Sequence, residues 1–414
     1  MRRLLAGLAV LFATIGLGAG VARAENITFW TWRQEDKAAY TKLFAEFTQS
    51  HPGIHVLFRA FPPADYQTIV STALAGGKGP DVLHTRAYGG LEQLATPGYL
   101  LELTPQNDPE LANLPASAKS ALAVRATGKI YSFAFSSQTL GILVNTRLLA
   151  AAKVAEPKTW AELLAACKAI KASGKICIAN GTATGWMDEV FAGDLTGPML
   201  GKPFFKDVVA GKTTFKDPAY TAALGRLLEL KPYMPPGFTG IDYPTAQQLF
   251  LSGRAAMFVG GSWEIANFHK QNPKLAMDFM APPAPNAHSP RLVSTFYDGG
   301  YAVVAHTRHP KAALALVRFM GTKRFGDQLG AMLGDVSPIK GVKLADPMLA
   351  KVAAMGQDSV PYIMAVSFRY ENPTGSVLLQ NGLEKMFAGS MTPQQVGAAV
   401  TDGIAKYYKP FQGK

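Results

Sequence analysis

Strand and helix patterns alternate over the first 60 residues beyond the leader, and that alternation narrows the fold more than any other feature. Asn26–Trp32 (NITFWTW) has the composition of a strand. From Lys37 to Thr48, Tyr40, Leu43, Phe44 and Phe47 recur on one helical face, and His51-Pro52-Gly53 stops the helix. Ile54–Phe58 is a second strand, Tyr66–Ala75 a second helix ending at Gly76-Gly77, and Asp81–His84 a short third strand. Strand, helix, strand, helix, strand at this spacing predicts a parallel, helix-covered α/β sheet.

A second α/β unit follows. Thr159 with Glu162 three residues on is a capping box opening a helix that ends at Ser173-Gly174, before a strand at Ile176–Ala179. Ala246–Phe250 is helical and Ala255–Val259 a buried strand, followed by Gly260, Gly261, Ser262, Trp263 and Glu264. Tyr301–Ala305 is another strand, and helices are expected from Pro310 to Met320 and near the end of the chain.

The N-terminus carries an export address. Arg2 and Arg3 precede an apolar run from Leu4 to about Val21, and Ala22-Arg23-Ala24 offers a cleavage site, the pattern of a secretory signal peptide over residues 1–24. The 390 residues that remain exceed one comfortable core, so two domains are expected. Removing the three leader arginines lowers the formal charge from +12 to +9. The remaining Lys and Arg are scattered, with no Arg-rich helix or zinc-finger spacing, which argues against nucleic-acid binding. The only cysteines, Cys167 and Cys177, close a short loop, and the export signal favours a disulfide over two buried thiols.

Ligands of open α/β sheets bind beyond the carboxyl ends of strands. Those positions hold Trp30, Trp32 and Arg33; His84, Thr85 and Arg86; Trp263 and Glu264; and, before Tyr301, Tyr297, Asp298 and Gly299. Trp30 and Trp32 alternate along a strand, so at most one is expected in the core. Trp186 sits in a polar, Gly-rich stretch and lines a pocket or plugs a loop. Indoles pack on the C–H faces of a sugar ring while carboxylates, amides, His and Arg satisfy its hydroxyls. If two of Arg33, Arg86 and Arg369 face one cleft, an anionic ligand fits their planar forks. Enzyme signatures are missing: no G-x-S-x-G, H-E-x-x-H or Walker A occurs, and Gly76-Gly77-Lys78-Gly79 lacks the Gly-Lys-Ser/Thr finish of a phosphate loop. The histidines show no metal-ligand spacing, and no cofactor is expected. A glycosidase carboxylate pair stays open, because such a pair need not be close in sequence.

The ordered segments ITFWTW (Ile27–Trp32), GPDVLHT (Gly79–Thr85), KIYSFAFSSQTLGILVNTRLL (Lys129–Leu149), PKTWAELLAACKAIKASGK (Pro157–Lys175), FLSGRAAMFVGGSWEIANF (Phe250–Phe268), YDGGYAVVAHTRHPKAALALVRFM (Tyr297–Met320) and LLQNGLEKMFAGSMTPQQV (Leu378–Val396) resemble the extracellular solute-binding proteins, family 1, that serve ABC sugar importers. The resemblance covers the whole mature chain. It implies a two-lobed periplasmic binding protein fold with an interlobe cleft and hinge crossings, an N-lobe of 25–136 and 303–349, and a C-lobe of 137–302 and 350–414. It places Trp30, Trp32, Arg33, His84, Thr85, Arg86, an SSQT turn with Ser137 and Gln138, Trp186, Trp263, Asp298 and, in a late loop, Arg369 and Tyr370 near the cleft. It implies a monomeric periplasmic receptor that makes no covalent change to its ligand and hands a carbohydrate to a membrane permease. A glycerophosphodiester or polyamine receptor is the alternative, and a secreted glycoside hydrolase a more distant one.

Overall fold

The computed structural model describes residues 25–414; the leader lies outside them. Nine strands form one continuous hydrogen-bonded system: β1 (Glu25–Thr31), β2 (Ile54–Ala60), β3 (Val82–Arg86), β4 (Phe133–Asn145), β5 (Ile176–Ile178), β6 (Ala255–Gly261), β7 (Met277–Met280), β8 (Val293–Val303) and β9 (Ser359–Pro361). The main order is β2-β1-β3-β8-β4-β6-β5, with β7 on β4 and β9 on β8. β1 pairs in parallel with β2 and β3, as the alternation predicts. The sheet then turns mixed, because β3–β8, β4–β8 and β4–β6 are antiparallel.

Two strands serve both lobes. The first half of β4, Phe133–Thr139, pairs with β8; its second half pairs with β6 and β7. β8 pairs with β9 at Val293–Thr295 and with β3 at Gly299–Val303. A third crossing lies beside them, where the Ser137 N–H donates to the Val336 carbonyl. The expected SSQT turn is therefore strand: Ser136–Thr139 continues through β4 with register shifts around Ser136. The strand expected from Tyr301 begins earlier, at Val293, so Tyr297, Asp298 and Gly299 lie within β8.

Separate hydrophobic cores sit on either side of these crossings. One joins β1, β3, the start of β4 and the end of β8 to helices Lys37–Ser50, Tyr66–Ala75, Gly89–Ala95, Pro310–Met320 and Lys323–Leu333, through residues such as Phe29, Phe47, Leu83, Phe133, Tyr301 and Leu316. The others fill the second lobe, where Trp160, Cys167, Ile170, Met257 and Leu383 pack together and Phe250, Phe258 and Phe279 form a neighbouring cluster. Leu349 and Val352 belong to that neighbouring cluster, with Leu143 and Phe279. The helix Pro347–Met355 therefore packs with the second lobe, which corrects the expected N-lobe boundary at residue 349. The Thr159–Glu162 capping box is formed, and Cys167 and Cys177 form a disulfide. Among the described residues, no helix is long and apolar enough to cross a membrane.

Candidate functional site

The strand ends at the crossings carry two different populations of side chains. Some are consumed by internal bonds, and others line a shared space. His84 belongs to the first. It is fully buried between Tyr301 and Phe135, its Nδ1 lies 2.6 Å from Thr31 Oγ1, and its Nε2 lies 3.3 Å from the Tyr40 hydroxyl. Burial, then the Arg33 and Arg86 charges, hold its pKa well below the usual imidazole value. Thr85 is also sealed, donating to Ser132 Oγ at 2.9 Å. Both were expected at the ligand; the core takes them because β3 is covered on both faces.

Arg33 is corrected in the same way. Its Nε sits 2.5 Å from Asp36 Oδ2 and its Nη2 3.1 Å from Asp335 Oδ2, with only 4% of the residue exposed. Burial alone would lower its pKa, but Asp335, Asp36 and Glu35 reverse the sign and hold it above the normal value. Asp335 is pushed up by burial and pulled back by Arg33. Its Oδ1 accepts from Gln138 Nε2 at 2.9 Å and Ser136 Oγ at 3.2 Å, and Gln138 Oε1 accepts from Ser262 Oγ at 2.5 Å. Gln138, 1% exposed, is therefore a tie between the lobes and not a free ligand contact. Gly299 serves close approach: a Cβ there would lie 2.0 Å from the Thr85 carbonyl oxygen.

Trp32 is 4% exposed, and the Arg86 guanidinium covers its ring at 3.7 Å, so that face offers no stacking platform. Trp30 points to the other side of β1 and packs on Phe61 at 4.8 Å. Arg86 itself is partly exposed and reaches Asp298 at 3.4 Å. Burial, offset by Asp298, lowers the Arg86 pKa.

Trp263 offers the clearest platform. A Cβ on Gly261 would fall 2.0 Å from the indole, so the ring lies flat on bare backbone and has one face covered. Its Nε1 donates to Glu264 Oε1 at 3.1 Å, which fixes the ring plane. Trp186 stands 6.5 Å away and packs edge-on to Tyr243 at 4.7 Å; Phe296 approaches Trp263 from β8 at 6.4 Å. Glu264 was expected at the ligand but is fully buried. It also accepts from the Tyr243 hydroxyl at 2.5 Å and Gln247 Nε2 at 2.9 Å. Burial raises its pKa to about 7 against the pull of these three donors.

Glu35, unmarked in the sequence, joins this space from the first lobe. Its Oε1 lies 3.5 Å from Arg33 Nε, 47% of its side chain is exposed, and burial raises its pKa against the pull of Arg33. Its charge acts across the gap on Glu264 and Tyr243, and Asp298 acts on Glu35 and Arg369. Arg369 donates to Glu189 Oε1 at 3.0 Å and Ser376 Oγ at 2.6 Å. Its backbone carbonyl abuts Gly89 of the first lobe, where a Cβ would lie 2.0 Å from it.

Strand alternation separates a second interlobe space from this one. Ser136 and Gln138 share one face of β4; Ser137 and Thr139 take the other, with Thr295 and Tyr297 of β8, and line a cavity of about 950 Å³. Tyr370 also lines that cavity, with the Arg125 guanidinium 3.8 Å over its ring. Ser137 and Tyr370 thus line a different space from Gln138 and the Trp263 wall, and Phe296 borders both. Neither Trp186 nor Trp263 lines that cavity. Among the described residues, no group of three or more His, Cys, Asp or Glu is arranged to hold a metal ion.

Residues 31–325 match the model for bacterial extracellular solute-binding proteins. The chain belongs to that family. Among curated relatives, an uncharacterized ABC transporter extracellular-binding protein of Pyrococcus horikoshii is 24% identical over 78% of this chain and 76% of its own length. The multiple sugar-binding protein of Streptococcus mutans is 23% identical over 77% and 76%. Among solved structures, a chitin oligosaccharide binding protein superposes with a TM-score of 0.81 at 22% identity, covering 92% of this chain and 98% of the other. The bacterial solute receptor AcbH gives 0.81 at 18% identity over 92% and 99%. At these identities the superpositions show the fold, a two-lobed α/β binding protein. The family places the chain outside the cytoplasm, as the leader implies.

Proposed function

We propose that this protein is a carbohydrate receptor of an ABC importer, which captures a mono- or oligosaccharide between its lobes and releases it unchanged to a membrane permease. The observation that carries the reading is the Trp263 indole, backed by Gly261 and braced by Glu264, with Trp186 6.5 Å away and tilted beside it. Such a wall suits the C–H face of a sugar ring. Relatives named for multiple sugars, maltodextrin and maltotriose support the same solute class.

The charges favour a neutral sugar over an anionic one. Each arginine near the site has a carboxylate partner: Arg33 has Asp36 and Asp335, Arg86 has Asp298, and Arg369 has Glu189. Side chains that reach solvent are two cations, Arg86 and Arg369, and two anions, Glu35 and Asp298, so the lining balances. A glycerophosphodiester would need an unpaired cation, and a polyamine several unpaired carboxylates. Ligand contacts are assigned to Trp263, Trp186, Arg86, Asp298 and Glu35, and the receptor is expected to act as a monomer. The lobes are taken to divide at the three crossings, with residue 349 on the second lobe.

Ligand bridging the lobes would stabilise the closed arrangement through contacts absent when open. Titration calorimetry against neutral mono- and oligosaccharides, with their uronic acid counterparts, tests the reading. Saturable 1:1 binding of a neutral sugar is expected. Preference for the uronate, or cleavage of the sugar, would refute it.

A further inference from the structure

A second concavity lies at the opposite end of β3 from Arg86. It encloses about 280 Å³ between the Gly77-Lys78-Gly79-Pro80 loop and the His306–His309 loop. Lys78, His306, Arg308 and His309 are in its wall, with Asp81 as its one carboxylate. Asp81 is already committed: Oδ2 accepts from the Thr28 N–H at 2.7 Å and Thr28 Oγ1 at 2.9 Å, and Oδ1 accepts from Thr307 Oγ1 at 2.5 Å. That last bond ties the two basic loops together and so builds the concavity. His309 faces Glu25 at 3.5 Å. Lys78, His306 and Arg308 have no hydrogen-bonding or ionic side-chain partner among the described residues.

We propose that this concavity binds a phosphate-bearing anion. Lys78 and Arg308 are exposed at the rim of this hollow, and an anion with several acceptor oxygens can take bonds from both together. The left-handed Gly77 (φ +65°) lets the loop turn so that Lys78 borders the hollow. The Gly-Gly-Lys-Gly segment lacks the hydroxyl of a nucleotide loop, so the ligand is a phosphate or phosphomonoester group and not a metal-bound triphosphate. Its source is either a free anion or a lipid headgroup.

The test uses the mature full chain and K78A/R308A, which leaves every residue of the sugar site in place. Inorganic phosphate is titrated calorimetrically against a sodium chloride control of equal ionic strength. Binding is expected to saturate at one site and to weaken roughly 10-fold or more in the variant, with sugar affinity and melting temperature unchanged. Co-sedimentation with phosphatidic acid and phosphatidylcholine vesicles separates the sources: retention on the phosphomonoester vesicles alone, lost in the variant and competed by phosphate, identifies a headgroup, and phosphate binding without retention identifies a free anion. The proposal is overturned if phosphate gives no more heat than chloride and neither vesicle retains the chain. It is equally overturned if K78A/R308A binds as the native chain does.

Discussion

Replacing Trp263 with alanine removes the platform on which the sugar reading stands. A buried Trp contributes roughly 150–250 Å² of contact area, and one face of this ring is already spent on Gly261. The face left for ligand is then roughly 80–100 Å². At about 25 cal/mol per Å², its loss costs about 2 kcal/mol, close to a 30-fold rise in Kd. Glu264 keeps Tyr243 and Gln247 as donors, so its carboxylate stays satisfied and the lobe should fold. Calorimetry with the best neutral sugar, alongside thermal melting, reads both quantities. Trp263→Phe should recover part of the affinity, because it keeps an aromatic face while losing the Nε1 donor. A Trp263→Ala protein that melts normally and binds within twofold of native would return the indole to a packing role and refute the reasoning.

Other consequences follow from the same geometry. Gly261→Ala drives a methyl into the Trp263 ring, so sugar affinity should fall roughly 10-fold by calorimetry, with a shifted tryptophan emission spectrum. Asp335→Ala strips a buried partner from Arg33 and an acceptor from Gln138, which should cost about 3 kcal/mol of unfolding free energy in urea. Asp188 is raised by burial, and further by Glu384, to about 8, well above its unfolded value. The folded chain therefore holds a proton that the unfolded chain has released. This group's contribution to stability is complete below about pH 4 and is lost as pH rises through about 8. Asp188→Asn should flatten that part of the pH profile in denaturant titrations, leaving the variant more stable than native at pH 9. Reducing the Cys167–Cys177 disulfide should lower stability by about 3 kcal/mol, measured in urea with and without reductant.

Local periodicity made the first lobe's opening legible. The helix at Tyr66–Ala75 and the start of the one at Lys37 fall where the apolar spacing puts them, because those helices bury one continuous face. β4 was harder. Ser136-Ser137-Gln138-Thr139 has the composition of a turn, yet pairing with β8 and bonds to Asp335, nearly 200 residues away in sequence, hold it extended. The strand expected from Tyr301 starts earlier, and Gly299 and Gly300 lie within it because Thr85 and Phe133 carbonyls leave no room for a Cβ there. Strand-end position identified Trp263, Arg86 and Asp298 as candidates, but it could not separate them from His84, Thr85 and Glu264. That distinction depends on which side chains find buried partners, such as Thr31 and Tyr40 for His84. The pairing of the arginines was illegible for the same reason, since Arg33 and Asp335 lie 302 residues apart. Glu35 could have been flagged by its place just past the first strand.

Native mass spectrometry of the mature chain, incubated with neutral oligosaccharides and matched uronic acids and then released by denaturation, tests the central claim most directly. The account predicts one neutral sugar per chain, recovered at its original mass. A uronate adduct in preference to the neutral sugar, shortened or hydrolysed products, or no adduct at all, would contradict it.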